Sequence, residues 1–183
     1  MKISKIFSVP LNPKLSENEF NAFFKFCLDY KEYIYDIYFT CRIPPFLQDA
    51  MGDIFIQSED YEFAIQTALH IQSTTGIVVS ATFNNLEIRP DQRNLDIWIK
   101  AFRPLYTAGI RSCTLPHTHW MLTGQVQKEF PNLFVKNTIL RKVTEPRDIA
   151  QLAEAGFKYI NLDRVLMRDH DKIKEIKKVN SEE

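Results

Sequence analysis

Apolar positions along this chain switch repeatedly between a helical spacing and an extended spacing. Two helical stretches end in Ala-Gly followed by an apolar residue, at 108–110 and at 155–157, and each leads directly into an extended run. Glycine closes a helix because it enters the left-handed conformation without a Cβ clash. A helix, a glycine and a strand in this order form the repeating unit of a parallel sheet. The pattern therefore predicts an α/β protein.

Extended runs at six places are predicted to supply the strands: residues 3–11, 34–40, 77–83, 110–115, 132–140 and 159–162. The third run is almost continuously apolar, as expected of a strand that is covered on both faces. The segments between these runs have apolar residues at the spacing of a helix. A capping box at Ser16 and Glu19 opens the first helix, and Thr144-Glu145-Pro146 opens a later one. Pro104 is predicted to kink or restart the helix before the fourth strand.

The order of these elements predicts an incomplete TIM-barrel-like (β/α) fold of about six parallel βα units. A complete barrel has eight units and about 250 residues, whereas this chain has 183. Residues 1–179 are expected to form a single domain, and residues 180–183 a polar tail. Unpaired edge strands invite association. Either the sheet is therefore open and partly wound, or its exposed edges are covered by a partner protein or by a second copy of the chain in a homo-oligomer.

Charge and cysteine content limit the classes of function. The 23 basic and 23 acidic residues cancel, so nothing in the overall balance favours nucleic acid or an acidic membrane. Basic residues between 111 and 168 could still meet phosphate or RNA, or simply solvate helix faces. The three cysteines are odd in number and widely spaced, which argues against a disulfide framework, and no CxxC pair suggests zinc or an iron–sulfur cluster. No segment has the length of a signal-peptide core or of a membrane span, and a soluble, cytoplasmic protein is predicted.

Polar residues follow most of the predicted strands. Ligands of parallel α/β folds gather outside the carboxyl ends of the strands, so a ligand-binding cleft is predicted there. The alternative is that strand ends are simply where a sheet becomes polar. The candidate ligand-binding residues are Asn12, Arg42, Asn84, Asn85, His117, Asn137, Asp163 and Arg164. The irregular stretch 43–53 is either a functional loop or a plain connector.

His117 and His119 form the sharpest local signal for chemistry. On an extended segment, residues two apart point to the same side, so both imidazoles could hold one metal ion, as in metal-dependent hydrolases. Asp163 and Asp169 could add oxygen ligands. The alternative is a pair of loop histidines that pack on Trp120 or bond to backbone. The motifs GxSxG, GxxxxGK[ST] and GxGxxG do not occur in the sequence, so no catalytic residue is assigned.

Several short segments carry a resemblance to a known family. They are Thr82-Phe83-Asn84, Ala108-Gly109-Ile110, Phe130-Pro131-Asn132, Ala155-Gly156-Phe157 leading to Asn161-Leu162, and Arg168-Asp169 with Ile173 to Ile176. In this order, spread over most of the chain, they resemble the barrel part of the collagenase-like peptidase family (peptidase family U-thirty-two). The resemblance implies a TIM-like barrel. It also implies a relation to RNA base or quinone hydroxylation and, by an older assignment, to proteolysis.

An iron–sulfur cluster is not expected in this chain, and its cofactors stay unknown. Members of the family carry their cluster cysteines downstream of the matched region, and Cys27, Cys41 and Cys113 lie elsewhere. One hypothesis is a shortened barrel-like protein with a ligand cleft at the strand ends, a relative or accessory of RNA-modifying hydroxylation enzymes. Another is a non-catalytic interaction module whose open sheet is completed by a partner or second copy. The third is a metal-dependent hydrolase that uses His117 and His119.

Overall fold

Parallel strands lie side by side in chain order, each followed by at least one helix. A computed structural model describes residues 7–12, 15–41, 46 and 58–179. The strands are β1 (Phe7–Pro10), β2 (Ile34–Thr40), β3 (Val78–Thr82), β4 (Ser112–Leu115) and β5 (Phe134–Asn137). The helices are α1 (Glu17–Tyr30), α2 (Ser58–Thr75), α3 (Gln92–Ala108), α4 (Thr118–Leu122), α5 (Gln125–Glu129), α6 (Pro146–Glu154) and α7 (His170–Val179), and two 3-10 turns cover Ile139–Arg141 and Arg164–Arg168.

The strands form one sheet in the order β1-β2-β3-β4-β5, and every neighbouring pair is parallel. Consecutive parallel strands with helical crossovers are the arrangement of a (β/α) barrel. The predicted fold class, an α/β protein with a TIM-barrel-like succession of units, is confirmed. None of the helices in the described ranges is long and apolar enough to cross a membrane.

The sixth unit lacks the regular strand that was predicted at residues 159–162. One parallel bridge, between Lys136 and Tyr159, joins this segment to β5. Beyond this bridge, side-chain hydrogen bonds replace the backbone hydrogen bonds of the strand ladder. The Asn161 N–H donates to Asn137 Oδ1 at 2.5 Å, Asn137 Nδ2 donates to the Asn161 carbonyl at 3.1 Å, and Asn161 Nδ2 donates to the Asn137 carbonyl at 2.6 Å. The ladder stops because this asparagine pair occupies the backbone groups that it would use.

A local sequence signal sets the start of the first helix. Ser16 Oγ accepts from the Glu19 N–H, and the Glu19 carboxylate accepts from the Ser16 N–H at 2.8 Å, so the predicted capping box is present. The helix does not restart at Pro104, because α3 continues through that residue, and the predicted kink stays a prediction. Phe102 and Leu105, buried on either side of Pro104, hold the helix against the sheet, and proline removes one helical hydrogen bond.

The helix-facing side of the sheet is apolar and packs against aromatic side chains. Val79, Ala81 and Phe83 alternate along and just beyond β3, and each is at most 1% exposed. Trp98 of α3 lies at the centre of this layer and stacks on Phe102 with 5.0 Å between ring centroids. Trp98 also contacts the rings of Phe83, Trp120 and Phe130. This side of the sheet therefore forms the hydrophobic core.

The opposite face, called here the inner face, is lined by buried polar side chains. Ser80 and Thr82 of β3 pair with Ser112 and Thr114 of β4, and the four are at most 7% exposed. Ser80 Oγ lies 3.1 Å from Ser112 Oγ. Bulky branched side chains usually fill the interior of a TIM barrel. Here the inner face is hydrophilic, so hydrogen bonds take the place of apolar packing.

An ion pair crosses the inner face. Lys136 Nζ of β5 donates to the Asp36 carboxylate of β2, and Ser8 Oγ of β1 donates to the same carboxylate at 2.5 Å. Asp36 is 1% exposed and Lys136 is 5% exposed. The ring of Tyr35 in β2 also contacts the ring of Tyr159, which follows β5, with 4.9 Å between the ring centroids. Both contacts require a sheet curved enough to bring β2 close to β5.

One edge of the sheet is formed by β1, whose neighbour within the described residues is β2. The N–H groups of Phe7 and Leu11 donate to the β2 side, so the backbone groups of Ser8 and Pro10 point away from β2. A groove of about 540 Å³, called here the β1 groove, runs along this edge. It is lined by Phe7, Ser8, Val9, Pro10, Phe26, Tyr30, Tyr33 and Ile34.

Candidate functional site

A cleft opens where the loops after β3, β4 and β5 meet. It has a volume of about 480 Å³, within the range of small-molecule sites. This strand-end cleft is lined by Pro90, His117, Thr118, His119, Leu122, Arg141, Gln151 and Glu154. Its position agrees with the rule that ligands of parallel α/β proteins bind outside the carboxyl ends of the strands.

His117 follows β4 and directly precedes α4, but its side chain makes no capping hydrogen bond to that helix. The imidazole packs edge-on against Trp120, with 5.4 Å between ring centroids. Burial lowers the pKa of His117, a hydrogen bond to the backbone of Ile88 opposes this effect, and the charge of Arg141 adds to it. Because the net result is a pKa below the usual value, His117 is neutral at pH 7.

Within the described part of the chain, two buried polar atoms of the cleft residues have no hydrogen-bond partner, His117 Nε2 and Thr118 Oγ1. Among the described residues, the indole N–H groups of Trp98 and Trp120 in the core are unpaired as well. Because all of these atoms are buried, they do not reach the open surface of the cleft in this structure.

Charged groups border the cleft on its β5 side. Arg141 ends the 3-10 turn after β5 and is exposed. Gln151 and Glu154 stand three residues apart on α6, so they share one face of that helix. The cleft therefore offers a guanidinium for an anion. At His117 and Glu154 it also offers acceptors for hydroxyl or amine groups.

The predicted ligand-binding residues are not gathered in one place. Of these, His117 lines the strand-end cleft. Three others make local hydrogen bonds: Asn137 holds Asn161, Asn85 Oδ1 accepts from the Glu87 N–H at 2.9 Å, and Asp163 Oδ1 accepts from the Val165 N–H at 2.9 Å. These bonds hold loops at the strand ends. The ligand-binding role of the three stays a prediction.

Three of the remaining candidates are not among the residues that line the cleft. Asn12 and Arg164 are exposed, and Asn84 is half-buried after β3. Arg42 lies outside the described residues, as does the predicted loop 43–53 apart from Phe46. Phe46 is 1% exposed and packs against Phe83 and Trp120.

His119 does not continue an extended segment with His117, because α4 begins at Thr118. Both histidines nevertheless border the same cleft. Within the described ranges, no group of three or more histidine, cysteine, aspartate or glutamate residues is placed to hold a metal ion, and a zinc site needs at least three protein ligands. The metal assignment stays a prediction without a third ligand in this part of the chain.

Four polar residues of the cleft were not singled out from the sequence as ligand-binding: Thr118, Arg141, Gln151 and Glu154. Arg141 counts among many basic residues of the second half of the chain. The 3-10 turn that returns it to the strand end was signalled by Thr138, whose Oγ1 accepts from the Leu140 N–H at 3.2 Å. Nothing local in the sequence signals the contribution of α6.

The architecture is shared with solved structures. The U32 peptidase Mk0906 matches with a TM-score of 0.62 and 12% identity, over 97% of this chain and 66% of that one. This chain therefore has a U32-like TIM-barrel fold. No protein-family model and no curated protein sequence matches it.

Two further structures share the barrel-type fold. The carboxyl transferase domain of Rhizobium etli pyruvate carboxylase, solved with 3-bromopyruvate, matches with a TM-score of 0.53 and 10% identity, over 85% of this chain and 26% of that one. The 2,3-dimethylmalate lyase, a member of the PEP mutase/isocitrate lyase superfamily, matches with a TM-score of 0.53 and 12% identity, over 94% and 57%. The chain thus spans about two thirds or less of each of the three proteins.

Proposed function

We propose that this barrel-like protein binds a small polar molecule in the strand-end cleft. The position of the cleft outside the carboxyl ends of the parallel strands carries the proposal. The imidazole of His117 and the exposed guanidinium of Arg141 are polar groups of its lining that a ligand could use. A volume of about 480 Å³ suits a molecule of metabolite size.

Backbone amide NMR spectra test this proposal. A collection of hydroxy acids, amino acids, sugar phosphates and nucleotides is expected to contain a compound that shifts the resonances of residues 117–122 and Arg141. His117→Phe keeps a ring against Trp120, removes both ring nitrogens and should weaken binding. His170→Phe, at an exposed histidine that begins α7, should leave binding unchanged. The proposal fails if no compound shifts these resonances, or if His117→Phe binds as tightly as the wild type.

A finer proposal comes from the resemblance to the collagenase-like peptidase family. In it, the chain is a relative or accessory of RNA-modifying hydroxylation enzymes, and the ligand of the cleft is a nucleotide. The guanidinium of Arg141 supports this choice because arginine recognises phosphate. Preferential binding of a nucleotide over amino acids and hydroxy acids is the result expected in the same NMR experiment. Equal or weaker binding of nucleotides would remove this finer proposal.

The second candidate function is association of two copies of the chain through the β1 groove. Phe7 and Tyr30 are 55% and 51% exposed within this groove, and exposed apolar patches mark interaction sites. A formal net charge of zero means that identical copies do not repel one another through their overall charge. In a two-fold dimer, the groove of one copy would lie against the groove of the other.

A further inference from the structure

We infer that helix α1 of a second copy lies in the β1 groove, antiparallel to α1 of the first copy, so that Lys25 and Asp29 of each copy pair with Asp29 and Lys25 of the other. This inference rests on the second candidate function, association of two copies through the β1 groove, and specifies its contacts. It follows from an aromatic face of α1 that borders the groove and from a self-complementary pair of charges beside that face.

Helix α1 has a neighbouring helix on one side. The outer helices of a (β/α) barrel form a ring around the strands, so each lies between two others. Phe20 and Phe24 of α1 contact the ring of His70 in α2, and Phe24 stacks on it with 5.2 Å between centroids. The β1 groove lies along another side of α1, and within the described residues α1 is the one helix that lines it. The groove therefore offers room for a second neighbouring helix.

The side of α1 that faces the groove is aromatic. Phe26 and Tyr30, four positions apart on one face of the helix, are 39% and 51% exposed, with 5.1 Å between their ring centroids. Phe23 extends this row, with its ring centroid 6.4 Å from that of Phe26. Aromatic rings at this helical spacing are typical of a surface that packs against another helix. Because the row belongs to one helix, two copies supply matching rows to each other.

Lys25 and Asp29 lie on one flank of this aromatic face. They form an exposed pair within α1, with 2.6 Å between Nζ and Oδ2 and side chains that are 74% and 50% exposed. Exposed pairs of this kind contribute little to stability, so either residue can take a new partner at small cost. When two antiparallel α1 helices cross level with Cys27, position 25 of each lies opposite position 29 of the other, because both are two residues from the crossing point. Each lysine therefore meets an aspartate.

The charges of this flank favour a second copy as the partner. Two-fold symmetry about an axis perpendicular to the helices makes them antiparallel and forms both lysine–aspartate contacts at once. A parallel arrangement in the same register would place lysine against lysine. The described residues that line the groove include no charged side chain, so the rings meet without burying an ion. Complementary charges at the edge of such an interface fix its register and disfavour other arrangements.

Charge reversal in separate copies tests the inference. Lys25→Glu gives a flank with two carboxylates, and Asp29→Lys gives a flank with two ammonium groups. The dimer of each variant alone should have a dissociation constant at least about tenfold above that of the wild type, because like charges face each other. An equimolar mixture of the two variants should recover the dimer, since each acidic flank then meets a basic one. Sedimentation equilibrium measures these masses.

Two further variants serve as controls. Lys25→Glu combined with Asp29→Lys in one chain exchanges the two charges and should dimerise as the wild type does. Lys174→Glu, which reverses one charge of the exposed Lys174–Asp171 pair of α7 outside the groove, should leave the dissociation constant unchanged. An equal loss of dimer in Lys174→Glu and Lys25→Glu would overturn the inference, because overall charge would then explain both results.

The outcomes separate this inference from the candidate function on which it rests. If the wild type is a dimer and Lys25→Glu and Asp29→Lys dimerise equally well, the inference is wrong, and the groove still joins two copies in another way. A mixture of the two variants that stays monomeric, although the wild type is a dimer, also overturns the inference alone. If the wild type is a monomer at every concentration, both the inference and the candidate function are overturned.

Discussion

Lys136 and Asp36 are 100 positions apart in the sequence, yet their side chains form a buried ion pair across the inner face of the sheet. The Asp36 carboxylate also accepts from Ser8 Oγ at 2.5 Å. Because these residues belong to β5, β2 and β1, the network joins strands from opposite sides of the sheet. This network is a tertiary constraint on the curvature of the sheet. The same curvature positions the loops that form the strand-end cleft.

Removing the cation of this pair should destabilise the protein strongly. Lys136→Met leaves a buried carboxylate without its partner, and the free energy of unfolding should fall by about 3–5 kcal/mol. Replacing both residues, with Lys136→Met and Asp36→Leu, should recover most of that loss. Urea unfolding of the variants measures their free energies of unfolding. Lys25→Met, which breaks the exposed pair with Asp29, is the control and should change nothing measurable. Wild-type stability in Lys136→Met would contradict the expectation.

The Asn137–Asn161 pair should stabilise the segment after β5. Asn137→Ala removes the side-chain groups that bond the Asn161 backbone, and unpaired buried groups cost about 1–3 kcal/mol. Hydrogen exchange at the Asn161 amide should accelerate accordingly. Asn132→Ala, at an exposed residue before β5, should leave that exchange rate unaltered. Unchanged protection of Asn161 in Asn137→Ala would show that the bridge at Tyr159 suffices.

The lowered pKa of His117 should make stability depend on pH in the acidic range. In the unfolded chain the histidine pKa is about 6.5, and burial depresses it in the folded protein. Below about pH 6.5 the unfolded state therefore binds more protons than the folded state, so this contribution is present above that pH and is lost as the pH falls. Ring proton NMR measures the folded pKa. A His117 titration at or above 6.5 would contradict the prediction.

Association through the β1 groove should appear in the mass of the protein in solution. Light scattering at micromolar concentration is expected to give twice the chain mass of 21.5 kDa. The double variant Phe7→Ser, Tyr30→Ser should be a monomer because it removes exposed apolar surface from the groove. Val165→Ser, at a residue 67% exposed outside the groove, should remain a dimer. A wild-type mass of one chain at every concentration would rule this candidate out.

Much of the fold could be predicted because its signals are local. The capping box needs only Ser16 and Glu19, and β2 has the predicted bounds because Ile34–Thr40 is a compact run of aromatic and β-branched residues. The sixth strand was overestimated for a physical reason. Its apolar run is present, but the amides of Asn137 and Asn161 compete with the ladder, and propensity does not describe such a long-range competition.

The polar inner face was less accessible to sequence reasoning. Its signal exists, since Ser80, Thr82, Ser112 and Thr114 recur at every second position of two strands. The apolar residues between them dominate the run and hide the alternation. The ion pair of Lys136 with Asp36 depends on sheet curvature, which no local pattern encodes. His117 was a candidate because it follows a strand, whereas Arg141 and Glu154 reach the cleft through a turn and a helix.

At the free edge of β1, Pro10 leaves a gap in the row of donors that an incoming strand would require. Fibrils grow when identical segments add edge to edge without limit. Of the two outward-facing positions of β1, only Ser8 can donate. An incoming strand would therefore find an incomplete row of backbone donors at β1, which disfavours open-ended growth by strand addition.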